Sequence, residues 1–372
     1  MYGMKEEHYA INPRTEHAAF FVRQSEFKRF YDDLLGTIAS GRVPRYVIFG
    51  SFGVGKTHFL YHLKSQLSEK AAVIYLQTPP SHRRTSFIEF YSAIISEIGR
   101  SQVSSLLAQG LRKPERMKDL GMNEDLIHVI ETATSKGEEF LLWKFLSGIK
   151  LKASEADKME ALRPELTADD AVAILNTLSA MQRESGGKPI VLLVDEFENT
   201  GHIGGDAKII FTEAVRALVD EASKVGVIFA LTARSTAEMP APVIDEPVKR
   251  RIGLTNYLQI RDYDEEELAE LARNVIHYRR DPKFDVKKVI AAVKTDEKVT
   301  PESYPFSEEA VQQVVNSVIV FAEQGRIDAK RPKEVLEIMD RALREATNKE
   351  AEFISSKTID KVREDVVEAI PL

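Results

Sequence analysis

Gly50-Ser-Phe-Gly-Val-Gly-Lys-Thr, residues 50–57, has the spacing G-x-x-x-x-G-K-[ST], and its residue types point to one chemistry. It follows an apolar run at 45–49 and precedes a helical pattern, the context in which small residues let backbone N–H groups close around phosphate at a helix N-terminus. The ammonium of Lys56 would sit on the β- and γ-phosphate oxygens, and the hydroxyl of Thr57 would ligate Mg²⁺. Gly50, Ser51, Phe52, Gly53, Val54, Gly55, Lys56, Thr57 and His58 form the expected nucleotide-binding set. A chance glycine turn is the plain alternative, and the flanking strand and helix count against it.

A phosphate cradle needs a metal partner and a base. The run Ile-Val-Leu-Leu-Val at 190–194 ends in Asp195 and Glu196, so a buried strand delivers two carboxylates to its C-terminal end. Asp195 is expected to hold Mg²⁺ through water. Glu196 would polarise the attacking water, with Glu198 as its competitor for that role. A solvated acidic turn is the bland reading of the same residues. Thr232 closes another apolar run, where a polar group between the two phosphate motifs could orient the water.

The elements that must position these groups are short apolar runs without alternation at 45–49, 72–77, 190–194, 226–232 and 256–260, separated by segments of helical period. That is the pattern of a parallel sheet buried on both faces. The expected fold is therefore α/β: a P-loop NTPase with a parallel five-stranded sheet flanked by helices. The strand tips at Phe49 and Val194 are expected to be adjacent. Residues 100–165 read as a helical insertion, Thr167 as the start of a helix through Met181, and Gly186-Gly187 as its stop. From residue 264 onward helical segments follow one another at 265–278, 307–321, 333–347 and 356–369. The expected division is a nucleotide-binding domain at 1–261 and an all-helical lid at 262–372.

Composition bounds the alternatives. At 372 residues the chain suits about two or three domains. Its 58 acidic residues outnumber its 51 basic ones, giving −7 at neutral pH, so no global field draws it onto nucleic acid and any DNA contact must be local. The absence of cysteine removes disulfides, thiol catalysis and zinc–thiolate sites. No apolar signal core or membrane-length run is found, and the expected location is the cytoplasm.

Taken together, the P-loop, the Asp-Glu strand end, the polar end of the fourth strand and the trailing helices resemble the AAA+ ATPases over essentially the whole chain. The nearest flavour is the initiator-type clade, which includes origin-recognition and transposition-regulator ATPases. Phe21-Val-Arg-Gln-Ser-Glu26 is similar to that clade's adenine-side motif, with Val22 and Gln24 in place of its usual glycine and acid, and the resemblance implies adenine contacts from Phe21 and Val22. Lys249-Arg250-Arg251 resembles the arginine-finger region, from which Arg250 or Arg251 would reach a neighbouring subunit's γ-phosphate. Residues 331–342 are similar to the sensor-2 helix of the lid. Lys333 stands at the expected arginine position, so either Lys333 or Arg331 would serve. Residues 263–268 resemble the start of an initiator-type lid. More loosely, Leu142-Trp-Lys-Phe-Leu-Ser-Gly148 with 167–181 and 193–198 resembles the P-loop ATPases of BREX phage-exclusion systems, although Trp143 packing an extra helical layer is the simpler reading.

The resemblance implies an ATP- and Mg²⁺-dependent hydrolase that forms a homo-oligomeric ring or filament. Its ATP cycle would load, remodel or regulate a companion protein, on DNA in replication, transposition or phage defence. Basic clusters at His82-Arg-Arg84, Arg112-Lys113 and Arg279-Arg280 could touch DNA phosphates after assembly. The alternative is a slow nucleotide-gated interaction switch with no direct DNA role. A small-molecule kinase shares the P-loop but has no use for a long helical lid.

Overall fold

A computed structural model describes residues 2–6, 8–19, 24–78, 86–220, 222–327 and 330–368. Its strands are β1 (Arg45–Gly50), β2 (Ala72–Gln77), β3 (Ile190–Asp195), β4 (Gly226–Thr232) and β5 (Tyr257–Gln259). They make one five-stranded parallel sheet in the order β2-β3-β4-β1-β5. β2 and β3 pair from Ala72↔Ile190 to Gln77↔Asp195, and β3 meets β4 from Val191↔Gly226 to Val194↔Phe229. Every residue of β3 is buried, as a central strand covered by helices on both faces requires. The α/β reading therefore holds, with one correction. The tips of β1 and β3 are not adjacent, because β4 lies between them. Local periodicity identifies strands but carries no information on which distant strand fills each place.

The chain forms two compact units. One comprises residues 29–49 and 63–259; the other gathers the segment ending at Lys28, Gly50–His62 and the stretch from Ile260 onward. The division expected at 261/262 assigned the whole N-terminal part to the nucleotide-binding domain, whereas the compact units group that early segment and the P-loop with the C-terminal helices.

Within the sheet-containing unit, helix starts follow their capping chemistry. Thr167 caps Ala168–Glu184 in a reciprocal box with Asp170, and Ser86 does the same with Glu89 for Phe87–Ile98. The expected insertion consists of the helices Arg100–Leu111, Pro114–Asp119, Glu124–Ser135, Glu139–Leu146 and Ala153–Lys158. Their apolar faces, including Val103, Leu107, Met117, Ile130 and Leu146, merge into the same core as β3 and β4, and Trp143 packs half-buried against it. The insertion is thus a further layer of this core.

In the other unit the helices Glu265–Arg279, Glu308–Glu323, Pro332–Asn348 and Ser356–Glu368 enclose a second core. Asp264 and Ser307 cap the first two. Tyr2 and Tyr9 belong to this core, and Tyr9 is wholly buried beside Phe306. Arg279, buried at the end of its helix, binds Glu6 at 2.7 Å and Glu16 at 2.5 Å, so the N-terminal segment is clamped by a charged knot as well as by its tyrosines. Among the described residues, no helix is long and apolar enough to cross a membrane.

Candidate functional site

β1 leads through Gly50 into the loop, and Lys56 opens the helix Lys56–Leu67. Gly50 is required by close approach, since a Cβ there would stand 2.3 Å from the Ile260 carbonyl oxygen. At Gly53 φ is +77°, and a Cβ would lie 2.9 Å from Cδ of Arg331. Lys56 is buried, and its Nζ donates to the carbonyls of Gly50 at 3.0 Å and Ser51 at 2.9 Å, so the loop curls around its own lysine. Ser51 Oγ donates to Asp262 Oδ1 at 2.8 Å. Val54 is buried, Thr57 is half-buried, and the Phe52 ring is 62 % exposed at the loop's tip.

The two sensor-2 candidates separate in space. Arg331 is buried, donates from Nη1 to the Phe52 carbonyl at 3.3 Å, and pairs through Nη2 with buried Glu334 at 2.7 Å. Lys333 is exposed on the first turn of the same helix. His58 is half-buried; burial, and then its neighbour His62, push its pKa down to about 4. Burial also lowers that of His62, whose Nδ1 lies 2.8 Å from the His17 carbonyl. Phe21 and Val22 lie outside the described residues.

In the sheet-containing unit, both oxygens of buried Asp195 are engaged: Oδ2 accepts from the Tyr75 hydroxyl at 2.8 Å and Oδ1 from the Glu196 N–H at 2.9 Å. Glu196 adopts the left-handed region, φ 54° and ψ 37°, a costly conformation for a residue with a side chain and one that gathers at functional sites. It turns the chain sharply at the end of β3 into the 3₁₀ segment Phe197–His202, where Asn199 Nδ2 approaches Glu196 Oε2 at 3.4 Å and donates to the Thr78 carbonyl at 3.2 Å. Glu198 is half-buried, and its Oε2 has no hydrogen-bond partner. Thr232 ends β4, the strand between β3 and β1.

Arg250 and Arg251 occupy the helix Glu246–Ile252 with different surroundings. The Arg250 side chain is 79 % exposed and pairs with Glu246 one turn earlier at 3.2 Å. Arg251 is turned inward, donating to Asp220 at 2.8 Å and to the Pro247 carbonyl at 3.0 Å. Of the basic clusters that could touch DNA, Arg279-Arg280 is corrected: Arg279 is buried on Glu6 and Glu16, and Arg280 donates to the Tyr304 carbonyl. Lys113 is paired with Glu184 at 3.0 Å, while Arg112 is exposed. Residues 82–84 lie outside the described residues.

Thr57 and Asp195 offer the hard oxygen donors that Mg²⁺ takes. Among the described residues no cluster of three or more His, Cys, Asp or Glu forms a protein cage for a metal. Sequence reasoning passed over Tyr75, Asn199, Asp262 and Glu334. A polar residue close to the end of a buried strand or beside a motif was the available signal for the first three; Glu334 looks in sequence like an ordinary first-turn acid.

The sequence profile of the AAA ATPase domain matches residues 19–230, more than half of the chain. No curated protein sequence matches it. Among solved structures, the ORC2 protein of Aeropyrum pernix, in ADPNP–ADP complexes, is similar with 13% identity and a TM-score of 0.52, covering 94% of this chain and 69% of that one. The ORC1 protein of Aeropyrum pernix in complex with DNA gives 13% identity and 0.48, covering 95% and 69%. The RuvB Holliday junction branch migration motor of Thermotoga maritima gives 12% and 0.44, covering 93% and 70%. The likeness to ORC2 is one of fold.

Proposed function

Because this chain belongs to the AAA ATPase domain family, we propose that it hydrolyses ATP with Mg²⁺, works as a homo-oligomer and uses the cycle to remodel or regulate a companion protein on DNA. The observation that carries the reading is the loop itself, with a buried lysine turned onto the carbonyls of Gly50 and Ser51 ahead of a helix N-terminus. On binding, triphosphate oxygens would replace those carbonyls as the partners of Lys56, and the first N–H groups of the helix Lys56–Leu67 would donate to the same anion.

Magnesium, when bound, neutralises charge on the phosphates; Thr57 and, through water, Asp195 are the residues that would hold it. Tyr75 fixes Asp195 from the neighbouring strand, which keeps the carboxylate facing one way. Glu196 would take the proton of the attacking water, with Thr232 orienting that water and Asn199 steadying the glutamate. Arg331 would contact the phosphates from the lid side, a role the placement of its side chain against the loop supports over Lys333. Arg250, exposed, is the better candidate for acting on a neighbouring subunit's nucleotide.

The test is turnover of the purified chain at several concentrations, with and without duplex DNA. DNA-stimulated, concentration-dependent hydrolysis that disappears when Arg250 and Arg251 are both changed to Ala is expected. A rate indifferent to DNA, concentration and that double change would instead favour a nucleotide-gated switch.

A further inference from the structure

Arg331 sits at the N-cap of the helix Pro332–Asn348 and Glu334 three residues on, the spacing of a capping box. An arginine cannot accept from the backbone as a serine would, so Glu334 pairs with the guanidinium instead. Pro332 restricts the residue before it to extended backbone, and Arg331 has φ −128° and ψ 150°. Its backbone is therefore fixed at one end and its guanidinium at the other.

The pair does not close as the two-bond fork that an arginine and a carboxylate favour. One bond runs from Nη2 to Glu334 Oε1 at 2.7 Å; Glu334 Oε2 and Arg331 Nε are both buried without a hydrogen-bond partner. The other arm, Nη1, is directed to the Phe52 carbonyl at 3.3 Å, while the aliphatic stem covers Gly53 so closely that no Cβ would fit. A bidentate pair would be the stronger bridge and would turn both arms of the guanidinium to the carboxylate. Here the carboxylate holds one arm and leaves the rest of the guanidinium against the phosphate loop.

We propose that Glu334 is a positioning residue for nucleotide recognition, holding Arg331 against the loop so that its free donors meet the terminal phosphate of a nucleoside triphosphate. The inference rests on the reading of Arg331 as a phosphate ligand. Its consequence is discrimination: a triphosphate reaches the held guanidinium, and a diphosphate, shorter by one phosphoryl group, does not.

The experiment measures dissociation constants of the full-length chain for ATP and ADP with Mg²⁺, together with nucleotide-free melting temperatures. Wild type, Arg331→Ala, Glu334→Gln, Glu334→Asp and the Arg331→Ala/Glu334→Gln double variant are compared. Arg331→Ala and Glu334→Gln are each expected to lower the preference for ATP over ADP about tenfold, the size of one charge-assisted hydrogen bond, and the double variant no further. Glu334→Asp, with its charge drawn back by a methylene, is expected to lower it as well, and its ratio decides the matter should the Gln variant not fold. A Glu334→Gln protein that melts lower yet keeps the ratio would reduce Glu334 to scaffolding, and one with a raised ratio would make it a restraint on Arg331; either overturns the proposal. An unchanged ratio in Arg331→Ala sinks the parent reading of Arg331, which is distinguishable from failure at Glu334 alone.

Discussion

Glu196 carries its backbone in the left-handed region immediately after the buried carboxylate of Asp195, a conformation that costs on the order of 1–3 kcal/mol. Its neighbours over-determine that geometry: Asp195 Oδ1 accepts the Glu196 N–H, and Asn199 donates its own N–H to the Glu196 carbonyl at 3.0 Å. The expected outcome follows from separating binding from chemistry. Lys56→Ala removes the buried ammonium and is expected to abolish ATP binding in a calorimetric titration. Glu196→Gln keeps shape and hydrogen-bonding reach but cannot accept the proton, so it is expected to bind ATP as wild type does while turnover falls by about 10²-fold or more. Normal turnover in that variant would hand the base role to Glu198, whose buried, unpartnered Oε2 makes it the next residue to change. For both carboxylates the sequence was a good guide, because an apolar strand ending in two acids is a local pattern. Tyr75 was not legible in the same way; its partner is 120 positions away, and only the β2–β3 register brings the two together.

At the scale of elements, the helix that follows the loop carries a half-buried histidine in its first turn. Burial, followed by the charge of His62, lowers the pKa of His58 from its ordinary 6.5 to about 4. The unfolded chain takes up that proton near pH 6.5, whereas the folded chain resists it until about pH 4. The stability this residue contributes is thus fully present above pH 6.5 and is lost as the pH falls through that window, at up to about 1.4 kcal/mol per pH unit. Denaturant melts of wild type and His58→Gln at pH 7, 6 and 5 should show the wild type losing stability more steeply on acidification. Parallel curves would mean that the ring titrates alike in both states. Which elements the sequence revealed follows the same division between local and distant. The cap at Thr167 and the five apolar runs are written within a few residues each. The strand order, and the burial of Tyr2 and Tyr9 among helices more than 250 positions later, depend on tertiary pairing that no periodicity encodes.

For the molecule as a whole, the open matter is whether its chemistry is completed by a second copy, and the two arginines of the helix Glu246–Ile252 allow a clean separation. Arg251 is committed within its own chain: it holds Asp220 at 2.8 Å, keeps that carboxyl below the usual range, and caps the Pro247 carbonyl. Since the pair is about one-third exposed, its loss in Arg251→Ala is expected to cost only about 1 kcal/mol. That corresponds to a fall in melting temperature of roughly 2–4 °C. Arg250 projects outward and, among the described residues, pairs with exposed Glu246, an interaction of at most a few tenths of a kcal/mol. Arg250→Ala should therefore leave melting unchanged while removing a guanidinium that a neighbouring subunit's γ-phosphate would meet, with a turnover loss of about 10³-fold under assembling conditions. Measured at a protein concentration where sedimentation shows monomer, the same variant should match wild type, because no neighbour is present to feel the difference. A loss of turnover in the monomeric regime, or a fall in melting temperature like that of Arg251→Ala, would mean that Arg250 works within its own chain and that assembly through this helix is not what the ATP cycle requires.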